Sequence, residues 1–202
     1  VYIDATYGKI LGALSTLKQI SQAYKGDINV IFYYAGHGVP NEKNNEAYLL
    51  PADATPSMLE ACLPLSSLYS SIGSIDAKQA IVFMDACFSG SRRENGMIVS
   101  ARGVAIKPKK DIVTGNVVVF SAADGSETAY PYKEKGHGLF TYFLLKKLKE
   151  SRGNVTLGDL ADYIKTNVSQ KSIVVNNKSQ TPTISSSAQM QDVWRTMKLF
   201  RK

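Results

Sequence analysis

Three short apolar runs limit what this chain can fold into more than any other feature of its sequence. They are INVIFYY at 28–34, AIVFM at 80–84 and VVVF at 117–120. The runs are nearly continuous rather than alternating, and they are rich in β-branched and aromatic residues. Such runs are typical of strands that a largely parallel sheet buries on both faces. We therefore expect three neighbouring strands of one such sheet.

Apolar residues at helical spacing occupy the segments around these runs. The three stripes are Ile10, Leu14, Leu17 and Ile20; Leu68, Ile72 and Ile75; and Phe140, Phe143, Leu144 and Leu148. Thr156 and Asp159 resemble a capping box, which predicts a further helix from that point. Strands that alternate with helices predict an α/β sandwich with a parallel core. Most of the large apolar side chains are then expected to form that core.

The length of the chain, 202 residues, suits one domain with a substantial core. We expect a single domain over 1–202, in which 1–91 carries the first two strand ends. The segment 92–115 is expected to be a basic loop, and 116–202 to complete the same domain. Further loops are expected at 39–46 and at the stretch 169–180, which is rich in Asn, Lys and Ser.

The excess of positive charge is concentrated in one part of the chain. With 24 basic and 17 acidic residues the net charge is +7, and the window 92–110 alone carries +5. Its basic residues, set against Glu94 as the one acid, are Arg92, Arg93, Arg102, Lys107, Lys109 and Lys110. Nucleic-acid surfaces usually interleave aromatic with basic side chains, and this window has no aromatic residue. We therefore expect no nucleic-acid partner; a solvated mobile loop and a cleavage substrate remain open as interpretations.

Several other classes of protein are disfavoured by what the sequence lacks. Two cysteines are too few for a disulfide framework, and Cys62, in the context ACLPL, is expected to belong to the core. His37 and His137 lie far apart and no CxxC pair accompanies them, so we expect no metal site. No apolar run approaches the ~20 residues that cross a bilayer, and the start of the chain shows no signal pattern. This predicts no membrane segment in this chain and leaves the compartment undetermined. Neither GxxxxGK[ST] nor GxGxxG occurs at the strand ends, which argues against a nucleotide site.

Reactive side chains follow all three runs, at the points where the predicted strands end. The first run continues as AGHG at 35–38, the second as DACFSG at 85–90 and the third as SAADG at 121–125. Open parallel sheets bind their ligands beyond the carboxyl ends of the strands. A thiol needs a nearby base or a lowered pKa to become a thiolate near neutral pH. We therefore interpret Cys87 as a nucleophile and His37 as its catalytic partner.

Carboxylates at two of these strand ends indicate a pocket for a basic side chain. Asp85 lies two residues before Cys87, so in an extended strand both side chains point to the same side. A carboxylate in a pocket wall favours Arg or Lys and disfavours an acidic residue. Asp124, at the next strand end, is a candidate second acid of this pocket, with a plain turn residue in ADG as the equal alternative.

The segments around the histidine and the cysteine resemble a known family. YYAGHG at 33–38 and DACFSG at 85–90 are similar to the histidine and cysteine motifs of caspase-like cysteine peptidases (clan CD, family C14). His37 and Cys87 stand 50 residues apart, as in the caspase signature. The pattern D-x-C-x-S-G resembles metacaspases and bacterial orthocaspases more than animal caspases, which have Gln in place of Asp85. Three shorter segments support the resemblance: YLLP followed by DA within 48–54, GLFT at 138–141 and QTP at 180–182.

The resemblance implies a fold and a set of roles. The fold would be a three-layer α/β/α caspase-like sandwich from which the first strand and helix are missing in this chain. Cys87 would attack the scissile carbonyl, His37 would protonate the leaving amine, and the N–H groups of Gly38 and Cys87 would form the oxyanion hole. Ala35 departs from the family pattern, because many metacaspases have Ser there.

The resemblance and the carboxylate of Asp85 together imply a cysteine endopeptidase that cleaves after Arg or Lys. Because the window 92–110 carries residues of that type, we expect activation by self-cleavage at its basic residues. The expected partners are peptide or protein substrates and a non-covalently bound N-terminal fragment of the same precursor. No cofactor is expected; some metacaspases need calcium, but the sequence shows no acidic cluster for it. Two other interpretations stay open: a catalytically silent caspase-like interaction module, and a different hydrolase or acyltransferase that uses the same dyad.

Overall fold

The computed structural model of the chain describes residues 1–88 and 111–200. Four α-helices lie within these residues, and each contains a stripe or capping pattern that the sequence predicted. They are α1 (Tyr7–Ala23), α2 (Leu65–Gly73), α3 (Leu139–Ser151) and α4 (Leu157–Asn176). The capping box is confirmed: the Thr156 side chain accepts a hydrogen bond from the Asp159 N–H at 3.1 Å and donates one to the Asp159 carboxylate at 2.8 Å.

The same residues contain nine β-strands, in one larger and two smaller sheets. In chain order they are β1 (Asn29–Ala35), β2 (His37–Pro40), β3 (Ala47–Leu50), β4 (Leu63–Pro64), β5 (Gln79–Asp85), β6 (Val117–Ser121), β7 (Pro131–Tyr132), β8 (His137–Gly138) and β9 (Thr183–Ser186). The larger sheet has the order β1-β5-β6-β9, and β1, β5 and β6 coincide with the three apolar runs. The predicted strands and their adjacency are therefore confirmed.

The register between β1 and β5 is the feature that positions the site. The two strands are parallel, and their partners run from Asn29 with Gln79 to Ala35 with Asp85. Every partner lies 50 residues along the chain, which is also the separation of His37 and Cys87. The two residues therefore leave the sheet side by side, each two positions beyond a paired strand end. Strand β6 is parallel to β5, and β9 returns antiparallel to β6.

Helices cover both faces of this sheet, so the predicted sandwich has three layers. Along β5, Val82 and Met84 pack with α1 and α2, whereas Ile81 and Phe83 pack with α3 and α4. All seven residues of β5 are buried, as expected for a strand in the middle of the sheet. Burial on two faces explains why the runs are continuous rather than alternating.

Two of the expected loops differ from the structure. Val39 and Pro40 belong to β2, which pairs antiparallel with β3 and is not part of a loop over 39–46. The stretch 169–180 is not a loop throughout, because α4 continues to Asn176. Ser172 keeps its buried position on that helix, and its hydroxyl donates to the carbonyl of Lys178 at 2.6 Å. Local composition favoured a loop, but packing of one face against the core extends the helix.

The structure describes only residues 111–115 of the basic loop that the sequence predicts over 92–115. These residues carry neither helix nor strand. The six basic residues between Arg92 and Lys110 lie outside the described residues.

Candidate active site

The Cys87 thiol lies two residues beyond the end of β5 and is half-buried against the α3 and α4 side of the core. Its sulfur contacts both backbone polar groups of Ala129, a residue of the loop that follows β6. The Ala129 N–H donates to the Cys87 Sγ at 2.8 Å, and the Ala129 carbonyl oxygen lies 3.4 Å from the same sulfur. Ala129 is fully buried. This contact could not be predicted from the sequence, because a backbone N–H is common to nearly every residue type.

The histidine strand reaches Cys87 through its backbone. His37 is the first residue of β2 and is exposed, whereas Gly38 is buried. A β-carbon at position 38 would lie 2.5 Å from the carbonyl oxygen of Cys87 and would overlap the ring of Phe88. Only glycine allows this close approach. The structure thus brings together Gly38 and Cys87, the two residues whose N–H groups were expected to form an oxyanion hole.

A tyrosine fixes the path of the chain between β1 and His37. The Tyr34 hydroxyl lies 2.9 Å from the carbonyl oxygen of His37 and 3.0 Å from that of Leu50, so it donates toward two neighbouring segments. The ring occupies the space beside Gly36, where a β-carbon would lie 2.6 Å from the hydroxyl. Sequence reasoning placed Tyr34 in the core and missed this contact, since its apolar neighbours hid the role of the hydroxyl.

Asp85 is 4% exposed and holds the beginning of α3. Its Oδ2 accepts hydrogen bonds from the Thr141 hydroxyl at 2.5 Å and from the Thr141 N–H at 3.3 Å. Gly138, the residue before α3, offers no side chain as a cap, so a carboxylate from β5 supplies the acceptor. A β-carbon at Gly138 would overlap that carboxylate. This structural role of Asp85 was not predicted, because it joins residues 56 positions apart.

A second hydroxyl extends this hydrogen-bonded group toward β1. The Tyr33 hydroxyl lies 2.7 Å from the Thr141 hydroxyl. Because an ionised carboxylate only accepts, Thr141 donates to Asp85 and accepts from Tyr33. Burial raises the pKa of Tyr33 above its usual value, the hydrogen bond to Thr141 partly lowers it, and the negative charge of Asp85 raises it again. The group therefore holds a buried negative charge with neutral donors, on the face of the sheet that also carries Cys87.

Asp124 lies in the loop after β6, where its carboxylate accepts from the N–H of Ser126 at 3.1 Å and from its hydroxyl at 3.0 Å. These are the hydrogen bonds of a turn residue. Asp124 also borders a cavity of about 310 Å³ whose lining includes Tyr69 of α2. That cavity lies on the α1 and α2 side of the sheet, whereas Asp85 binds Thr141 on the opposite side. The turn role has direct support, and a place in the pocket of Asp85 stays a prediction.

The other cysteine belongs to the core, as predicted. Cys62 is 2% exposed and its thiol approaches the carbonyl oxygen of Met58 at 3.4 Å. Burial raises the pKa of the Cys62 thiol, and the nearby Glu60 raises it further. A buried thiol with a raised pKa is a poor nucleophile.

Residues 1–88 and 111–200 contain no group of three or more His, Cys, Asp or Glu that could hold a metal ion. None of their helices is both long and apolar enough to cross a membrane.

Comparison with known proteins places the chain in a family. The caspase domain family of C14 peptidases matches residues 1–193, so the chain belongs to that family. Its helices and strands also superimpose on caspase-1 from Spodoptera frugiperda with a TM-score of 0.61 at 14% identity, over 92% of this chain and 69% of that one. The three-layer sandwich is therefore a caspase fold.

Two curated relatives carry names that describe proteases. A paracaspase from Dictyostelium discoideum is 29% identical over 139 residues, which is 69% of this chain and 31% of the relative. A probable protease from a Desulfuromonadales bacterium is 26% identical over 159 residues, 77% of this chain and 19% of the relative. The chain thus spans less than a third of the length of either relative, and the match identifies a caspase-family peptidase domain.

Proposed function

We propose that this domain is a cysteine endopeptidase with Cys87 as its nucleophile and His37 as its proton carrier. The observation that carries the proposal is that His37 and Cys87 are separated by 50 residues, the same separation as that of the paired residues of β1 and β5. In addition, Gly38 packs against the Cys87 carbonyl. This arrangement supports a reaction at the carboxyl ends of β1 and β5, with the two residues following neighbouring strand ends.

The expected reaction follows from the groups at these two strand ends. The Cys87 thiolate attacks the scissile carbonyl carbon, and the oxyanion of the tetrahedral intermediate accepts hydrogen bonds from the N–H groups of Gly38 and Cys87. His37 gives a proton to the leaving amine as the C–N bond breaks, which leaves an acyl-enzyme. Water then attacks the thioester, His37 takes its proton, and the acid product and the thiol are released. Substrates would be peptides or proteins.

We propose that Asp85 selects Arg or Lys before the cleaved bond. The support is a carboxylate that is 4% exposed, lies on the same face as Cys87 and accepts from the neutral donors of Thr141. Neutral donors stabilise the carboxylate without cancelling its charge, so the negative potential persists for a guanidinium or ammonium group.

Two further parts of the proposal concern processing and a partner. We propose that the basic residues between Arg92 and Lys110 are self-cleavage sites, because their type matches the preference expected from Asp85.

We also propose that a segment of the same precursor pairs along β1. In the described part of the chain β1 lies at the edge of the sheet, and Ile31 and Tyr33 are 41% and 46% exposed there. Exposed strand edges are usually covered in native proteins.

The proposed function is tested by a panel of fluorogenic peptides that differ only in the residue before the cleaved bond. Cys87→Ala and His37→Ala should each lower turnover of the Arg peptide by about 10³-fold or more, because either residue is needed for the same step. Cys62→Ala is the matched control and should keep activity, since that thiol belongs to the core. A folded Cys87→Ala protein with near-normal turnover would end the proposal, and a wild-type protein inert toward the whole panel would favour a silent interaction module.

The same Cys87→Ala protein tests self-cleavage, and co-purification tests the partner. Wild-type protein should accumulate fragments that end at Arg or Lys on incubation, whereas the variant stays whole; identical fragments in both would assign the cuts to another protease.

Mass spectrometry of protein made from the full gene should show an additional fragment bound to this domain. A stable, active and monomeric domain without one would contradict the partner.

A further inference from the structure

The Cys87 sulfur contacts both backbone polar groups of Ala129. The Ala129 N–H donates to the sulfur at 2.8 Å, and a hydrogen bond to the charged form of an acid favours that form. The Ala129 carbonyl oxygen lies farther away, at 3.4 Å, where it can accept from the protonated thiol. The shorter contact favours the thiolate, so the placement of the Ala129 N–H affects the nucleophilicity of Cys87.

Such a donor matters because the charges around Cys87 are mixed. Asp85 lies on the same face of β5, and Asp124 and Glu127 lie in the loop that carries Ala129. Carboxylates near a thiol disfavour its ionisation, whereas a nearby protonated imidazole favours it. A fixed N–H offsets part of the carboxylate repulsion without being lost through titration.

Gln180 holds the peptide that follows Ala129. It is fully buried in the segment that leads into β9, and its amide bonds to both ends of the loop after β6. Its Oε1 accepts from the Tyr130 N–H at 2.8 Å, and its Nε2 donates to the Ala122 carbonyl at 2.9 Å. An amide can accept and donate at once, which neither a carboxylate nor an apolar side chain of the same size can do.

A second tether holds the other side of Ala129. The Glu127 carboxylate accepts from the Thr181 N–H and from the Thr181 hydroxyl, the latter at 3.1 Å. Residues 127 and 130 are thus both bound to the dipeptide 180–181, and Ala129 lies between them. We call this set of four hydrogen bonds, the two of Gln180 and the two of Glu127, the loop clamp.

We propose that Gln180 and Glu127 are positioning residues for the nucleophile: through the loop clamp they hold the Ala129 N–H against the Cys87 Sγ and so stabilise the thiolate. The proposal rests on Cys87 being the nucleophile. Neither side chain needs to touch the substrate, and both act through the backbone of 128–130.

The test follows the alkylation of Cys87 by iodoacetamide as a function of pH in the full-length protein, with mass spectrometry to separate Cys87 from other thiols. Gln180→Met keeps the approximate size of the side chain and removes the amide. The midpoint of alkylation should rise by about one pH unit, because a hydrogen bond to a charged group is lost. Alkylation at pH 7 should slow several-fold in consequence.

Gln79→Met is the matched control for this experiment. Gln79 is equally buried, at the amino end of β5, and its Nε2 donates to the carbonyls of Lys198 and Leu199 at 3.0 and 3.2 Å. It lies about 25 Å along the chain from Cys87, at ~3.3 Å per strand residue. This variant should be less stable, but its alkylation profile should match that of the wild type.

Glu127→Ala provides a second test on a residue that is not fully buried. Removing a negative charge near a thiol should lower the thiol pKa, whereas loosening the loop clamp should raise it. We expect a rise. A fall, or an unchanged profile in Gln180→Met, or equal shifts in Gln180→Met and Gln79→Met, would overturn the proposal. Alkylation needs no peptidase activity, so this outcome is independent of the peptide assays that test the proposed function.

Discussion

The two ends of the central sheet bury similar polar groups for different purposes. At the amino end, Gln79 binds the backbone of the C-terminal segment, and its Nε2 donates to the carbonyls of Lys198 and Leu199. At the carboxyl end, the buried groups are Asp85 and Gln180, and each binds an element beside Cys87. The same sheet therefore uses buried hydrogen bonds to join elements at one end and to hold the elements around the Cys87 thiol at the other.

The two ends also differ in how closely the backbones approach. At the carboxyl end Gly38 lies against the Cys87 carbonyl and the Phe88 ring, without space for a β-carbon. Gly12, on the outer surface of α1, has no atom within 4 Å of the position where its β-carbon would be. Substitutions in the two regions should therefore separate activity from stability.

The largest effect is expected for Gly38→Ala. The added methyl group must displace the Cys87–Phe88 backbone, and a displacement of about 1 Å at a reacting centre can cost ~10²-fold in rate. Turnover of the Arg peptide measures this, with circular dichroism to show that the fold persists. Gly12→Ala should keep full activity and raise the free energy of unfolding by about 0.5–1 kcal/mol, because alanine is the better helix former. Equal activity in both variants would show that the contact at Gly38 does not shape the site.

An effect of similar size, confined to the choice of substrate, is expected at Asp85. Asp85→Ala should reduce the preference for Arg over a neutral residue on the order of 10²-fold, since a buried charge pair is lost. The same change removes the acceptor at the start of α3, so a stability loss alone could lower activity. Thr141→Val separates the two effects, because it removes one donor and leaves the carboxylate in place.

Thr141→Val should therefore keep the preference for Arg while it lowers the free energy of unfolding by about 1 kcal/mol. Ratios of kcat/KM across the peptide panel measure the preference, and thermal melting measures the stability. If Asp85→Ala and Thr141→Val changed the ratios equally, Asp85 would be a helix cap without a role in specificity.

The smallest effect on activity is expected at the amino end. Gln79→Met leaves the buried carbonyl of Leu199 and the part-buried carbonyl of Lys198 without their donor, which should cost about 1–3 kcal/mol and lower the Tm by several degrees. Peptide turnover at 25 °C should stay within about twofold of the wild type, because the C-terminal segment that Gln79 binds lies far from Cys87. A loss of activity comparable to that of Gly38→Ala would show that the two ends are coupled.

Much of the fold could be predicted because its signals are local. The run VVVF at 117–120 and the stripe around Phe140 report burial through residue type and spacing, which any stretch of chain displays by itself. Thr156 and Asp159 form their capping box within one turn. The end of α4 was missed because burial of Ser172 against the core, rather than its composition, keeps residues 169–176 helical.

The candidate reactive residues could be identified without the structure. The sequence places a histidine, a cysteine and an aspartate, at positions 37, 87 and 85, beside glycines at the ends of predicted strands. The 50-residue spacing of the histidine and the cysteine equals the register between β1 and β5. The groups that surround these residues became known from the packed structure. The donors to Cys87 and Asp85 come from Ala129 and Thr141, more than 40 positions away. A backbone N–H or a helix start carries no residue-specific signal, so its partner is known only once the strands and helices have packed.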